Sequence, residues 1–115
     1  DLRDARNLDA ALRPETKLVW IETPTNPLLK IVDIEAVSAI ARKRGVVVGC
    51  DNTFASPYCQ RPLDLGADIV MHSATKYLAG HSDVIGGVLV VKDKDLAERL
   101  QFLQNSVGAI QGPFD

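Results

Sequence analysis

Cysteine is scarce in this sequence. Only Cys50 and Cys59 occur among 115 residues, too few for a disulfide framework, so a cytoplasmic setting is the default expectation. Charge of one sign is not in excess either. Thirteen basic and 15 acidic residues leave a net charge of −2, and the two signs are interspersed. No basic face of the kind that binds a phosphate backbone emerges, which argues against nucleic acid as a partner. No apolar run approaches the ~20 residues that span a bilayer, and no basic-then-apolar signal segment opens the chain, so no membrane partner is expected. The two histidines, His72 and His81, lack Cys, His or carboxylate partners at metal-ligand spacing, and no metal is expected. An initiator Met is missing, and the chain stops at Gly112-Pro113-Phe114-Asp115 without a terminal element. The sequence is therefore expected to be a piece of a longer polypeptide.

What is present is ordinary for a globular α/β protein. Apolar residues make up 46% and charged residues 24%, and a chain of this size buries roughly 65% of its unfolded surface. Leu8, Ala11 and Leu12 recur at helical spacing between Asp4 and Leu12, and Pro14 stops the pattern. The apolar run from Lys17 to Ile21 reads as a buried strand, ending in a loop that Pro24 and Pro27 make rigid. Asp33 is a suitable N-cap for a helix with Ile34, Val37, Ile40 and Ala41 on one face, and Gly45 is its terminator. Val46 to Cys50 is the next strand, so a βαβ unit with parallel strands is expected. The prolines Pro57 and Pro62 mark Asn52 to Gly66 as a loop with little helix. Ala67 to Met71 and Gly86 to Val91 are two further strands, with an antiparallel or irregular connection between them. Asp93 caps a last helix from Lys94 to about Asn105, whose expected buried stripe is Leu96, Leu100 and Leu103.

Parallel sheets place ligands beyond the carboxyl ends of their strands. Three groups of polar residues fall there: Asn26, Asp51, and the set Ser73, Thr75 and Lys76. A lysine amine, a carboxylate and small hydroxyls are the residue types that hold a phosphorylated pyridine aldehyde. Lys76 would form the Schiff base and carry protons, Asp51 would keep the pyridine nitrogen protonated, Ser73 and Thr75 would bind the phosphate, and Asn26 would reach a ring substituent. Each residue alone has a plainer reading. A lysine after a strand is ordinarily a solvated lysine, and Asp-Asn after a strand is ordinarily turn chemistry. A receiver-like phosphoacceptor domain is the rival of another class, although here the hydroxyls and Lys76 share one loop. The acidic pair such a domain uses for Mg²⁺ is also reduced to Glu22. A non-catalytic α/β fragment is the remaining alternative.

Three segments, Glu22-Thr23-Pro24-Thr25-Asn26-Pro27, Asp51-Asn52-Thr53-Phe54-Ala55-Ser56-Pro57 and Ser73-Ala74-Thr75-Lys76-Tyr77-Leu78-Ala79-Gly80-His81-Ser82-Asp83, together resemble the Cys/Met-metabolism family of pyridoxal phosphate enzymes. The resemblance runs through nearly the whole chain. It implies pyridoxal 5'-phosphate as cofactor and an aminotransferase-like type I fold, α/β, with a mostly parallel sheet and flanking helices. Residues 1–115 would be the central part of its large cofactor-binding domain. It makes Lys76 the Schiff-base lysine, Asp51 the pyridinium partner, Ser73 and Thr75 phosphate ligands, Asn26 a neighbour of the ring hydroxyl and Thr53 a residue packed on the ring face. The implied activity is carbon–sulfur lysis of a small sulfur amino acid, leaning to α,γ-elimination from cystathionine, with γ-synthase, β-lyase and methionine γ-lyase chemistry as the relatives of that reaction. The family also implies a homotetramer with active sites shared across a dimer interface. The upstream phosphate loop and stacking Tyr, and the substrate-carboxylate Arg of a small C-terminal domain, would lie outside this segment, and residues 1–115 alone should not be a competent enzyme.

Overall fold

Four short apolar runs pair into one sheet in the computed structural model, which describes residues 1–115. They are β1 (Leu18–Glu22), β2 (Val47–Asp51), β3 (Ile69–Ser73) and β4 (Gly87–Val91), and they lie side by side in that order. The β1–β2 and β2–β3 pairs are parallel, and β3–β4 is antiparallel. The helices are α1 (Arg6–Ala11), α2 (Ile34–Lys43), the single turn α3 (Ser56–Cys59) and α4 (Lys94–Val107). None is long and apolar enough to cross a membrane.

Local chemistry accounts for α2. The Asp33 carboxylate accepts a hydrogen bond from Ala36 N at 2.9 Å, satisfying one of the free donors of the first turn. Arg42 and Lys43 sit at the negative end of the helix dipole, and Gly45 leaves it with φ +64°, a conformation that glycine adopts without steric cost. The apolar face of α2 (Ile34, Val37 and Ala41) packs with Leu8 of α1 against Val19, Ile21, Val48 and Cys50 of the sheet. Val37 and Val48 are fully buried, each stabilising the fold by about 1.5–3 kcal/mol relative to exposure. One face of the sheet thus carries the core.

The other face is open. Expected as a fully buried strand, β1 instead alternates, with Val19 and Ile21 in the core and Leu18 and Trp20 about half exposed. The reason is the two-residue period of a strand, which sends alternate side chains to a face that residues 1–115 cover only at its β4 edge. The Trp20 indole reaches over β2 on that open face, opposite Gly49 in the register. A Cβ at Gly49 would enter the indole ring, so only glycine permits this approach. The expected buried stripe of α4 is also corrected. Leu96 and Leu100 are partly covered and Leu103 is exposed, because the helix leans mainly on β4. The third strand runs two residues further than its apolar run suggests, since His72 and Ser73 continue the ladder opposite Val88 and Gly87.

Candidate functional site

The carboxyl ends of β1, β2 and β3 share one edge of the sheet, and three loops leave from it. Glu22 and Asp51 are register partners at that edge, and Ser73 ends β3 two residues beyond Met71, the partner of Asp51. Alternation along the strands puts Asp51 and Ser73 on the open face. Thr53 links them. Its N–H donates to Asp51 Oδ1 at 2.9 Å, and its hydroxyl accepts from Ser73 N at 2.8 Å. The second carboxylate oxygen of Asp51 takes no hydrogen bond from Thr53 and remains available to a donor.

Lys76 sits in the turn directly after Ser73. Residues Ala74–Leu78 form one wide helical turn that is broken at Lys76, whose φ −90° and ψ −114° are not helical. Ala79 N donates to Ala74 O and Gly80 N to Lys76 O, which closes the turn behind the lysine. The Lys76 side chain is exposed and forms no ion pair within the chain. The Thr75 hydroxyl accepts from Gly86 N at 2.9 Å and donates to Gly86 O at 3.3 Å, sewing the turn to the start of β4. Tyr77 meets Phe54 of the neighbouring loop edge to face, with ring centroids 6.3 Å apart. Asn26 lies in the loop after β1, exposed, with its N–H donating to Glu22 Oε1 at 3.1 Å.

All six residues singled out from the sequence therefore lie at one edge, with Asp51, Thr53 and Ser73 joined by hydrogen bonds. Asn26 is set apart in its own loop. Backbone conformation marks the same edge independently. The three non-glycine residues with left-handed φ are Leu29 (+50°), Ser56 (+60°) and Ser82 (+56°), one in each of the connections that follow β1, β2 and β3, with Ser56 at the first residue of α3. Such outliers gather where surrounding structure holds a loop in a functional shape.

Sequence reasoning missed the layer beneath. Asn52 and Thr23 are buried, and with Gln60 they form a closed polar knot. Gln60 Nε2 donates to Asn52 Oδ1 at 2.8 Å and to Thr23 O at 3.0 Å, while Asn52 Nδ2 donates to Gln60 O at 2.9 Å. The Thr23 hydroxyl accepts from Val32 N at 2.9 Å. The only signal available beforehand was an amide directly after the strand-end aspartate, and that reads as ordinary turn chemistry.

Two titratable side chains behind the edge are tuned by burial. The Cys50 thiol is pushed up to about 12, by burial first and the Asp51 charge second, so it stays protonated and is no nucleophile at neutral pH. Burial holds the His72 imidazole below its ordinary value, against the opposing pull of Asp51. A histidine depressed in the folded state contributes stability that is fully present above its unfolded value of about 6.5 and is lost as pH falls from there through its lower folded value. Thermal melting of the full-length protein is expected to drop between pH 7.5 and 5.5, and His72→Gln to flatten that drop. An unchanged pH slope in the variant would show that His72 does not cause it.

The donor set suits pyridoxal 5'-phosphate. An exposed amine, a carboxylate with one oxygen unengaged and a hydroxyl on the adjoining strand end are the groups that its aldehyde, ring nitrogen and phosphate require. Thr75 fits less freely, because its proton already reaches Gly86 O, although at 3.3 Å that bond is long.

Comparison with known proteins gives the same result along the whole chain. A sequence profile of the family described as Cys/Met metabolism PLP-dependent enzyme matches residues 1–115. A cystathionine γ-synthase of Mycobacterium bovis is 56% identical over 114 residues, covering 99% of this chain and 29% of that protein. A cystathionine β-lyase of Lactococcus lactis subsp. cremoris is 56% identical over 118 residues, covering 100% of this chain and 31% of that protein. The crystal structure of cystathionine γ-lyase from Lactobacillus plantarum complexed with L-serine superposes with a TM-score of 0.96 at 54% identity. It covers 98% of this chain and 30% of that one. The chain thus spans about a third of the length of the relatives it matches.

Proposed function

The chain belongs to the family of Cys/Met metabolism PLP-dependent enzymes, and from that premise we propose that the full-length polypeptide is a carbon–sulfur lyase of sulfur amino acids. The observation that carries this reading is the linkage of Asp51 to Ser73 through Thr53, with Lys76 three residues further on at the same edge. Residues 1–115 would be the central part of a large cofactor-binding domain.

When bound, pyridoxal 5'-phosphate supplies an electron sink that makes the Cα–H of an amino acid acidic. Lys76 Nζ would anchor the cofactor and, when released from it by the substrate amine, move protons between substrate carbons. Its exposure leaves it free to reach both positions. The unengaged carboxylate oxygen of Asp51 would hold the proton of the ring nitrogen, while Thr53 N keeps the other oxygen fixed. Ser73 Oγ would donate to the phosphate, with Thr75 Oγ1 exchanging its long bond to Gly86 O for the same task. Asn26 would meet the ring hydroxyl. Thr53, whose hydroxyl is taken by Ser73 N, would pack its methyl against the ring face.

The substrate we propose is cystathionine, cleaved at Cγ–S with water to cysteine, 2-oxobutanoate and ammonia. A γ-synthase or β-lyase reading has support of its own, because relatives carrying those names are 56% identical to this chain. We also place the protein in the cytoplasm, as a homotetramer. The half-exposed Leu18, Trp20 and Leu89 of the open sheet face leave apolar surface for the rest of such an assembly. Incubating the full-length holoprotein with cystathionine and identifying the keto acid tests the reaction. The expected product is 2-oxobutanoate. Pyruvate with homocysteine would make it a β-lyase, and formation of cystathionine from cysteine and an activated homoserine ester would make it a synthase. A protein that shows neither cofactor absorbance nor any of these products would overturn the reading.

A further inference from the structure

We propose that Gln60 is a positioning residue for the cofactor-binding edge, holding the loop after β1 and the loop after β2 in fixed relation through its side-chain amide. The inference rests on the reading that this edge binds pyridoxal 5'-phosphate. Both acceptors of Gln60 Nε2 are oxygens, Asn52 Oδ1 at 2.8 Å and Thr23 O at 3.0 Å, which sets the orientation of the amide. Asn52 directly follows Asp51. It is fully buried, with its own N–H on Met71 O at 2.9 Å and its carbonyl accepting from Ser56 N at 2.9 Å. Thr23 is equally buried and held at three atoms: its N–H reaches Asp51 O at 3.4 Å, its hydroxyl takes Val32 N, and its carbonyl takes Gln60. Three residues beyond Thr23 comes Asn26.

Gln60 is thus the one side chain that joins the segment bearing Asn26 to the segment bearing Asp51 and Thr53. Its own backbone is fixed as well, by its N–H on Ser56 O at 3.1 Å and by Asn52 Nδ2 on its carbonyl. Buried acceptors left without donors are costly, so loss of this amide would not be absorbed silently. The two loops would relax apart, and groups placed on them would no longer meet one ligand at once.

The test compares Gln60→Glu and Gln60→Met with the parent in the full-length protein, measuring the dissociation constant of pyridoxal 5'-phosphate from pH 5.5 to 8.5. Glutamate keeps the shape, donates one hydrogen bond when protonated and none when ionised. Gln60→Glu is expected to weaken cofactor binding about tenfold at pH 8.5, recovering most of that loss toward pH 5.5. Gln60→Met is expected to be weak at all pH values. His72, Arg61, Asp64 and Lys92 line the same hollow of about 250 Å³, so the parent over the same range is the reference. Parent-like binding in Gln60→Glu at every pH, or equal weakening in both variants without pH dependence, would overturn the proposal. A measurement without substitution keeps the test open if the variants do not fold. On addition of cofactor to the parent apoprotein, hydrogen exchange in residues 22–32 and 52–60 is expected to slow together with residues 73–82. Slowing confined to 73–82 would also overturn it. A parent that takes up no cofactor defeats the functional reading itself, whereas a yellow parent with parent-like variants defeats only the role of Gln60.

Discussion

Replacing Lys76 with alanine in the full-length protein is expected to lower turnover by about 10³-fold or more, while leaving the fold unchanged. On the reading proposed above, Nζ has two tasks, anchoring the cofactor and carrying protons between substrate carbons, and alanine removes both. Positioned proton transfer alone contributes roughly 10²–10⁴-fold. The structural cost is small because the Lys76 side chain is exposed and makes no ion pair. The carbonyl of residue 76 would still accept from Gly80 N at 2.8 Å. An exposed substitution of this kind shifts stability by no more than about 0.5 kcal/mol. Lys76→Arg is not expected to restore activity, since a guanidinium stays protonated and accepts no proton. Borohydride treatment of the parent followed by peptide mapping is expected to leave the cofactor mass on Lys76. Ordinary turnover in Lys76→Ala, or labelling of a different lysine, would refute the assignment.

Asp51→Asn is expected to lower kcat by about 10²–10³-fold with a smaller effect on KM. The amide keeps the shape of the carboxylate, and its oxygen can still accept from Thr53 N, so the link to Ser73 is retained. On the proposed reading, what disappears is the negative charge that would face the ring nitrogen, and losses of that order follow removal of one preorganised electrostatic partner. A second readout is independent of the reaction. Asp51 pulls the His72 imidazole upward against burial, so its neutralisation should lower that group further, visible in a pH titration of the imidazole signals. Full activity in Asp51→Asn would remove Asp51 from the mechanism. An unmoved His72 titration would show that the charge is not felt across the sheet.

The sequence was most legible where the signal is local. Asp33, the apolar face of α2 and Gly45 predict that helix to within a residue, because a cap, a 3.6-residue period and a left-handed terminator are all short-range. Strand ends were less legible. The third strand was expected from Ala67 to Met71, yet it extends to Ser73 because β4 pairs with His72 and Ser73, and no residue near them announces that partner. The exposed Leu103 of α4, with Leu96 and Leu100 only partly covered, shows the opposite error. Their spacing promises a core, but spacing does not say whether another element is there to cover it.

The sequence by itself determined the kinds of groups at the strand ends: a carboxylate at Asp51, hydroxyls at Ser73 and Thr75, an amine at Lys76, an amide at Asn26. Strand pattern and a parallel sheet are enough to put them on one edge, because every parallel strand delivers its carboxyl end to the same side. Only the tertiary structure decided how they are held. Thr53 reaches Ser73 across 20 residues, and Gln60 reaches Thr23 across 37. Such bonds depend on which strands are neighbours and on the path each loop takes, and neither is encoded in any local stretch. The open face beside Asp51, with Trp20 lying over Gly49, is likewise a product of sheet order. Residue chemistry chose the polar groups at this edge, and long-range hydrogen bonding fixed how Asp51, Thr53 and Ser73 are held there.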